Sequence, residues 1–160
     1  MSREVTVDWV QKPGKNPAQQ LQREIGWEGI ANFDASCAQY RIAFNDHALT
    51  EQAAIAVMAL LIHDLEGGVV QRVLQIGSGG DYLVLSRRAR NPDQIEVSGV
   101  QEDASGSAAK SRLAEKTDQV LTYCKVGFAS VTTFAHSQPP RVHSYLHFVR
   151  RTRKKRKRRR

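Results

Sequence analysis

Cysteine, tryptophan and methionine each occur only twice in these 160 residues. Two cysteines, Cys37 and Cys124, are too few for a four-thiolate metal site or a disulfide framework, so reduced thiols in the cytosol are the expectation. Long apolar runs are missing as well. The longest apolar window, Ala53 to Ile62, is shorter than the roughly 20 residues that span a bilayer. No apolar run follows a basic start in the manner of a secretory leader. These absences predict a soluble, cytoplasmic protein without a membrane span.

What is present is charge, unevenly distributed. The chain has 24 Lys and Arg against 16 Asp and Glu, a formal net charge of +8. Ten of the cations, Arg150, Arg151, Arg153, Lys154, Lys155, Arg156, Lys157, Arg158, Arg159 and Arg160, lie in the last eleven residues. The remaining body carries 14 basic against 16 acidic side chains. The tail alone makes the chain basic. Such a run has nothing to bury and repels itself, and it attracts polyanions through counterion release. It contains no aromatic residue on which a base could stack, so it is not expected to read sequence. Nucleic acid is its first expected partner, with an acidic protein or an anionic membrane surface also open.

With 41% hydrophobic residues, the length suits one domain. The chain therefore divides into a single α/β domain over residues 1–149 and a polybasic tail over 150–160. Val5, Val7 and Trp9 alternate with polar residues and predict a short strand, at a sheet edge, ending at Lys12-Pro13-Gly14. Leu21, Ile25, Trp27 and Ile30 recur at near-helical spacing after Asn16-Pro17, which predicts a helix over 17–32. Tyr40, Ile42 and Phe44 predict a strand over 38–44, followed by a turn at Asn45-Asp46. This N-terminal elaboration, 1–48, precedes the core.

The clearest helix runs from Glu51 to Glu66, with Thr50 as N-cap and Gly67-Gly68 as its stop. Strands are expected over 69–76, 81–85 and 94–100, then a helix over 108–123 and a strand over 126–134. Val142, Tyr145, Leu146 and Phe148 form a last apolar segment of undetermined type. The fold class is α/β: a mixed central sheet flanked by helices, with an αβββαβ core over 51–134.

Two carboxylates stand out within this core. Asp81 follows Gly77-Ser-Gly-Gly80 at the start of one strand, and Glu96 lies between Ile95 and Val97 inside the next. Held a few ångströms apart, such a pair either binds a hard divalent cation or shares a proton. Each also has a plainer reading. Asp after glycine suits a turn, and a buried glutamate can be matched by a salt bridge to Arg112 or Lys116. The glycine stretch precedes a strand where a nucleotide-binding loop would open a helix, so a hairpin turn is expected there.

The order helix, three strands, helix, strand, with acidic residues at Glu66 (less well Glu51), Asp81 and Glu96, resembles the common core of the PD-(D/E)XK, or restriction-endonuclease-like, nucleases. The resemblance covers about half the chain. It implies that Asp81, Glu96 and Glu66 hold a divalent metal, Mg2+, that activates water against a phosphodiester. The motif lysine two residues after the glutamate is replaced by Ser98. Some members carry that lysine on the following helix, which points to Lys116 or Lys110, with Lys116 preferred as the catalytic cation. Gln119-Val-Leu-Thr-Tyr123 resembles the Q-x-x-x-Y motif of exonuclease members, which implies substrate contacts from Gln119 and Tyr123 on one helix face. Gly-x-Gly-x-Asp-Tyr followed by Glu-Val-Ser-Gly is also similar to bacterial proteins of no assigned activity.

The resulting expectation is a metal-dependent nuclease in a bacterial defence or mobile-element setting, with nucleic acid bound by Gln119, Tyr123 and the tail from Arg150 and Arg151 through Arg158. The alternative, favoured by Ser98, is an inactive binding or assembly protein tethered by its tail. His143 and His147 would share a face if their segment were helical. Like His63 and His136, they lack a spacing diagnostic of metal.

Overall fold

The computed structural model describes residues 2–11, 18–26, 38–39, 45–74, 80–87, 91–102, 107–135 and 141–151. They form seven strands and two long helices: β1 (Ser2–Val10), β2 (Gln19–Gly26), α1 (Asp46–Glu66), β3 (Val69–Val73), β4 (Tyr82–Leu85), β5 (Asp93–Glu102), α2 (Ser107–Tyr123), β6 (Val126–Ala135) and β7 (Arg141–Arg150). The strands make one mixed sheet in the order β2-β1-β7-β6-β5-β4-β3. From β3 to β5 the chain folds as an antiparallel meander, and β6 then lies parallel to β5. A parallel neighbour needs a long crossover, and α2 supplies it. β7 returns antiparallel to β6 and carries β1 parallel on its other side.

Alternation along the strands divides the core into two layers of packing. On one face Val5, Val7, Val84, Ile95, Val97, Phe128 and Leu146 meet Ala54, Val57, Met58, Leu61 and Ile62 of α1. On the other face Ala129 and Val149 meet Val120 of α2, with Leu113, Leu121 and Cys124 partly buried around them. Phe128 and Ala129 are adjacent in β6 and serve opposite layers. Glu96 and Ser98, out of phase with Ile95 and Val97, therefore face α2.

The residues from 19 to 26 are a strand paired with β1, not a helix. Leu21 and Ile25 are four apart, a spacing that places two residues on one face of a strand as well as of a helix. Arg23 lies between them on that face, and its guanidinium pairs with Asp64 of α1 at 2.5 Å. Pairing with β2 also makes β1 an interior strand, contrary to the expected edge. Residues 12–17, 27–37 and 40–44 lie outside the described residues, as does most of the strand expected over 38–44; Ala38 and Gln39 are helical. The last apolar segment is the strand β7.

Helix α1 starts a turn earlier than expected. Asn45 is its N-cap and accepts the Ala48 N–H at 2.8 Å. An Asn-Asp pair suits a turn and an N-cap for the same reason, because its side chain satisfies nearby backbone N–H groups. Thr50 lies inside the first turns, buried, with its hydroxyl donating to the Asp46 carbonyl at 2.7 Å. At the other end Gly67 adopts φ 57°, and the Gly68 N–H reaches the Ile62 carbonyl at 3.0 Å. This left-handed close is what glycine permits. At 21 residues, α1 is the one described helix long and apolar enough to cross a membrane, by length and composition alone, beyond what the shorter Ala53–Ile62 window suggests. Its inner face is committed to the sheet core.

Candidate functional site

The pairing of β4 with β5 sets Tyr82 opposite Ile95, so Asp81 stands beside Glu96. The Asp81 N–H donates to the Ile95 carbonyl at 3.0 Å, and Asp81 Oδ2 accepts the Val97 N–H at 2.8 Å. Asp81 is thus tied across the strand pair. Glu96 is buried in mid-strand at 6% exposure. Lys116 descends from α2 between them: its Nζ lies 2.8 Å from Glu96 Oε2 and 3.6 Å from Asp81 Oδ2. A shared cation within reach of both oxygens holds the two carboxyl groups side by side.

Burial differs between the partners, and this sets their chemistry. The Lys116 and Glu96 side chains are 14% and 8% exposed, whereas Asp81 is 41% exposed. Burial pushes the Glu96 carboxyl above the ordinary glutamate value. The Lys116 hydrogen bond and charge oppose that rise, while the Asp81 charge and a hydrogen bond with Asp81 add to it. Glu96 is therefore a carboxyl whose ionisation burial opposes, with Lys116 as its local counter-ion.

Asp81 opens into a cleft of about 310 Å³ between the N-terminal part of α1 and the start of β4, whose walls include Glu51, Ile55, Leu74, Tyr82, Ser98 and Lys116. Burial raises the Tyr82 hydroxyl, and the negative charges of Asp81 and Glu51 raise it further. The cleft is acidic, and Lys116 is the cation in its lining.

Gly99 explains how α1 comes close enough to contribute a wall. A Cβ built there would stand 2.3 Å from the Thr50 carbonyl oxygen, so the first turns of α1 rest directly on β5. The Gln101 amide adds a bond to the Thr50 hydroxyl at 3.1 Å. Glu51, the next residue, then faces the cleft.

No family model, curated protein or solved structure matches this chain. The site is therefore judged on its own geometry.

Glu66 is not gathered with Asp81 and Glu96. It lies at the far end of α1, buried, where the Trp9 indole N–H donates to its Oε1 at 2.8 Å. Helical rise alone separates it from Glu51 by about 22 Å. The carboxylate that α1 brings to the cleft is Glu51. Of the two cations weighed against Glu96, Lys116 is the partner. Arg112 instead pairs with Glu115 on the surface of α2 at 2.8 Å.

Gln119 and Tyr123 follow Lys116 by three and seven residues and lie on its side of α2. Gln119 Nε2 reaches Glu115 at 3.5 Å, and Tyr123 is 63% exposed. Arg150 and Arg151 are described, whereas Arg153, Lys154, Lys155, Arg156, Lys157 and Arg158 lie outside the described residues. His143 and His147 share a face of a strand, not a helix, with Tyr145 stacked on His143 between them. His143 Nε2 is 3.2 Å from Asp8. His136 lies outside the described residues.

Two features of the site escaped sequence reasoning. The Val97 N–H that fixes Asp81 carries no side-chain signal, because any residue could supply it. Tyr82 was legible as a strand residue and as part of the Gly-x-Gly-x-Asp-Tyr pattern, neither of which places it in a cleft.

Proposed function

We propose that this chain is a nucleic-acid-associated protein whose α1–β6 core acts as a magnesium-dependent nuclease of the restriction-endonuclease-like kind, in a bacterial defence or mobile-element setting. One observation supports the reading: Lys116 of α2, its side chain 14% exposed, contacts both strand carboxylates and lines an open cleft together with Asp81. Lys116 supplies the positive charge that Ser98 cannot.

The donor set suits a magnesium ion. Mg2+ is commonly held by one or two carboxylates together with substrate phosphate, and keeps several waters. Among the described residues no three His, Cys, Asp or Glu side chains are gathered for a protein-only metal cage. Asp81 and Glu96 would hold the ion, with Glu51 on the cleft wall within the same acidic field. When bound, the ion lowers the pKa of water and neutralises charge on a scissile phosphate. Asp81, fixed by the Val97 N–H, keeps its oxygen oriented toward the cleft floor. The charge of such an ion would offset the burial that opposes Glu96 ionisation. Lys116, which lines the cleft beside both carboxylates, would offer its ammonium to the phosphate.

Incubation of the purified protein with DNA and RNA in magnesium or manganese tests this reading. Cleavage that falls at least about 100-fold in Asp81→Ala, Glu96→Ala and Lys116→Ala is expected, the scale on which preorganised catalytic groups act. Absence of cleavage on every substrate, or cleavage unaffected by these changes, would refute the catalytic role.

Ser98 supports a second reading, a binding or assembly protein that keeps the fold without the chemistry. It predicts tail-dependent polyanion binding with no metal-dependent cleavage.

A further inference from the structure

The cleft passes from one layer of the fold to the other. β4 pairs with β5 only as far as Tyr82 opposite Ile95, whereas β5 runs on to Glu102. Past that last pair, side chains from both faces of the sheet line one space. Val97 is buried in the α1 layer, and Tyr82 and Ile55 pack partly against the same layer. Ser98, the next residue of β5, faces α2, and Lys116 comes from α2 itself.

The two ends differ in chemistry. Toward α1 the lining is Ile55, Val97 and the Tyr82 ring, continued by Val73 and Leu74 at the end of β3, with Glu51 as the charged group on that side. Toward α2 it is Ser98 and Lys116, with Asp81 3.6 Å from the Lys116 ammonium. The Leu74 N–H donates to the Asp81 carbonyl at 2.9 Å, which fixes the apolar wall to the polar end. A volume of about 310 Å³ is that of a sphere about 8 Å across, at the small end of the range for ligand pockets. The major groove of B-DNA alone is about 12 Å wide, so a paired duplex cannot enter.

We propose that the cleft takes one unpaired nucleotide of a strand, with its base on the Tyr82 ring and the wall of Ile55, Val73 and Leu74, and its phosphate toward Lys116. This rests on the reading of the cleft as a nucleic-acid site, and adds its substrate class: bulges, frayed ends and single strands in place of closed duplex. A base presents a flat face that an aromatic ring accepts whatever the sequence, whereas the phosphate seeks the ammonium. The division of the cleft matches that division of the nucleotide. Among the described lining residues none is an amide or a guanidinium, the groups that read base edges most often, so the site takes any base. A paired base must first leave its stack at a cost, and an already unpaired one need not, which gives the selectivity.

Two labelled DNA hairpins that differ only at a single bulge, thymidine in one and an abasic sugar in the other, test the proposal. They carry the same phosphates, so general attraction to cations is equal for both. Binding to the full chain is measured by fluorescence anisotropy in magnesium, with phosphorothioate linkages beside the bulge to keep the strand intact. The thymidine bulge should bind at least about fivefold more tightly, the low end of a base–aromatic stack. Tyr82→Ala and Val73→Glu should each erase that preference, and Tyr82→Phe should keep it. Val73 is 71% exposed, so its substitution spares the core and serves even where Tyr82→Ala fails to fold. Equal affinities of the native chain for the two hairpins, or a preference untouched by Val73→Glu, would overturn the proposal. Free thymidine monophosphate at the concentration of the hairpin should not displace it; displacement would assign the cleft to free nucleotides and overturn the proposal as well. No strand is cut in these measurements, so a bulge preference without cleavage sinks only the nuclease reading, and cleavage without the preference sinks only this proposal.

Discussion

Replacing Lys116 by methionine removes the cation from the carboxylate pair while keeping most of the side chain's length. Lys116 and Glu96 are mostly buried and 2.8 Å apart, so the variant leaves Glu96 buried beside Asp81 without its counter-ion. Breaking a buried pair on one side costs about 3–5 kcal/mol. Two features lower that figure here: Asp81 is 41% exposed in an open cleft, and Glu96 can take up a proton instead of remaining charged. About 2–4 kcal/mol at pH 8 is the expected loss. Its pH dependence is the sharper test. Burial already raises the Glu96 carboxyl and Lys116 restrains the rise, so the substitution raises it further. A carboxyl raised in the folded state contributes stability below its unfolded value, about pH 4.3, and loses it as pH rises through the folded value. The deficit of Lys116→Met should therefore be small near pH 4 and widen toward neutrality, by at most about 1.4 kcal/mol per pH unit for one proton. Urea denaturation from pH 4 to 8 measures it. The double variant Lys116→Met/Glu96→Gln should recover most of the loss at pH 8. A deficit independent of pH, or greatest in acid, would refute this account of the pair.

Gly99→Ala should cost about 1–3 kcal/mol, the range for overpacking, because its methyl meets the Thr50 carbonyl. The same change should weaken any magnesium-dependent activity by displacing Glu51, and activity assays beside thermal unfolding would separate the two effects. Asn45→Ala removes the N-cap of α1 and should cost about 1 kcal/mol, with Asn45→Asp restoring it in chemical denaturation. Burial lowers the His147 imidazole, with Asp8 opposing. A histidine lowered in the folded state supports stability above its unfolded value and loses it as pH falls through the folded one. His147→Gln should consequently flatten the stability profile below about pH 6.5, read by denaturant titration across that range.

Much of the fold was readable from local patterns. The apolar interior of α1 ending at Gly67-Gly68, the β-branched strands of the meander, and the amphipathic α2 each declare their type through residues near in sequence. The failures came where a spacing serves two geometries. Leu21 and Ile25 fit a helix or a strand, and pairing with β1 decided for the strand. His143 and His147 were likewise resolved by the antiparallel ladder with β6.

The site divides in the same way. Asp81 and Glu96 could be singled out because carboxylates at a strand start and inside an apolar strand are chemically unusual, and Lys116 because a cation was wanted on the next helix. Glu66 and Glu51 are equally acidic and belong to one helix, and no local rule separates them. Only the packing of the first turns of α1 on Gly99 sends Glu51 to the cleft, leaving Glu66 at the other end with Trp9. The tail's charge was plain in the composition, whereas the bonds from the Arg151 guanidinium to the Leu121 and Thr122 carbonyls of α2 were not. Those bonds depend on backbone carbonyls, which every residue carries and only the tertiary fold aims.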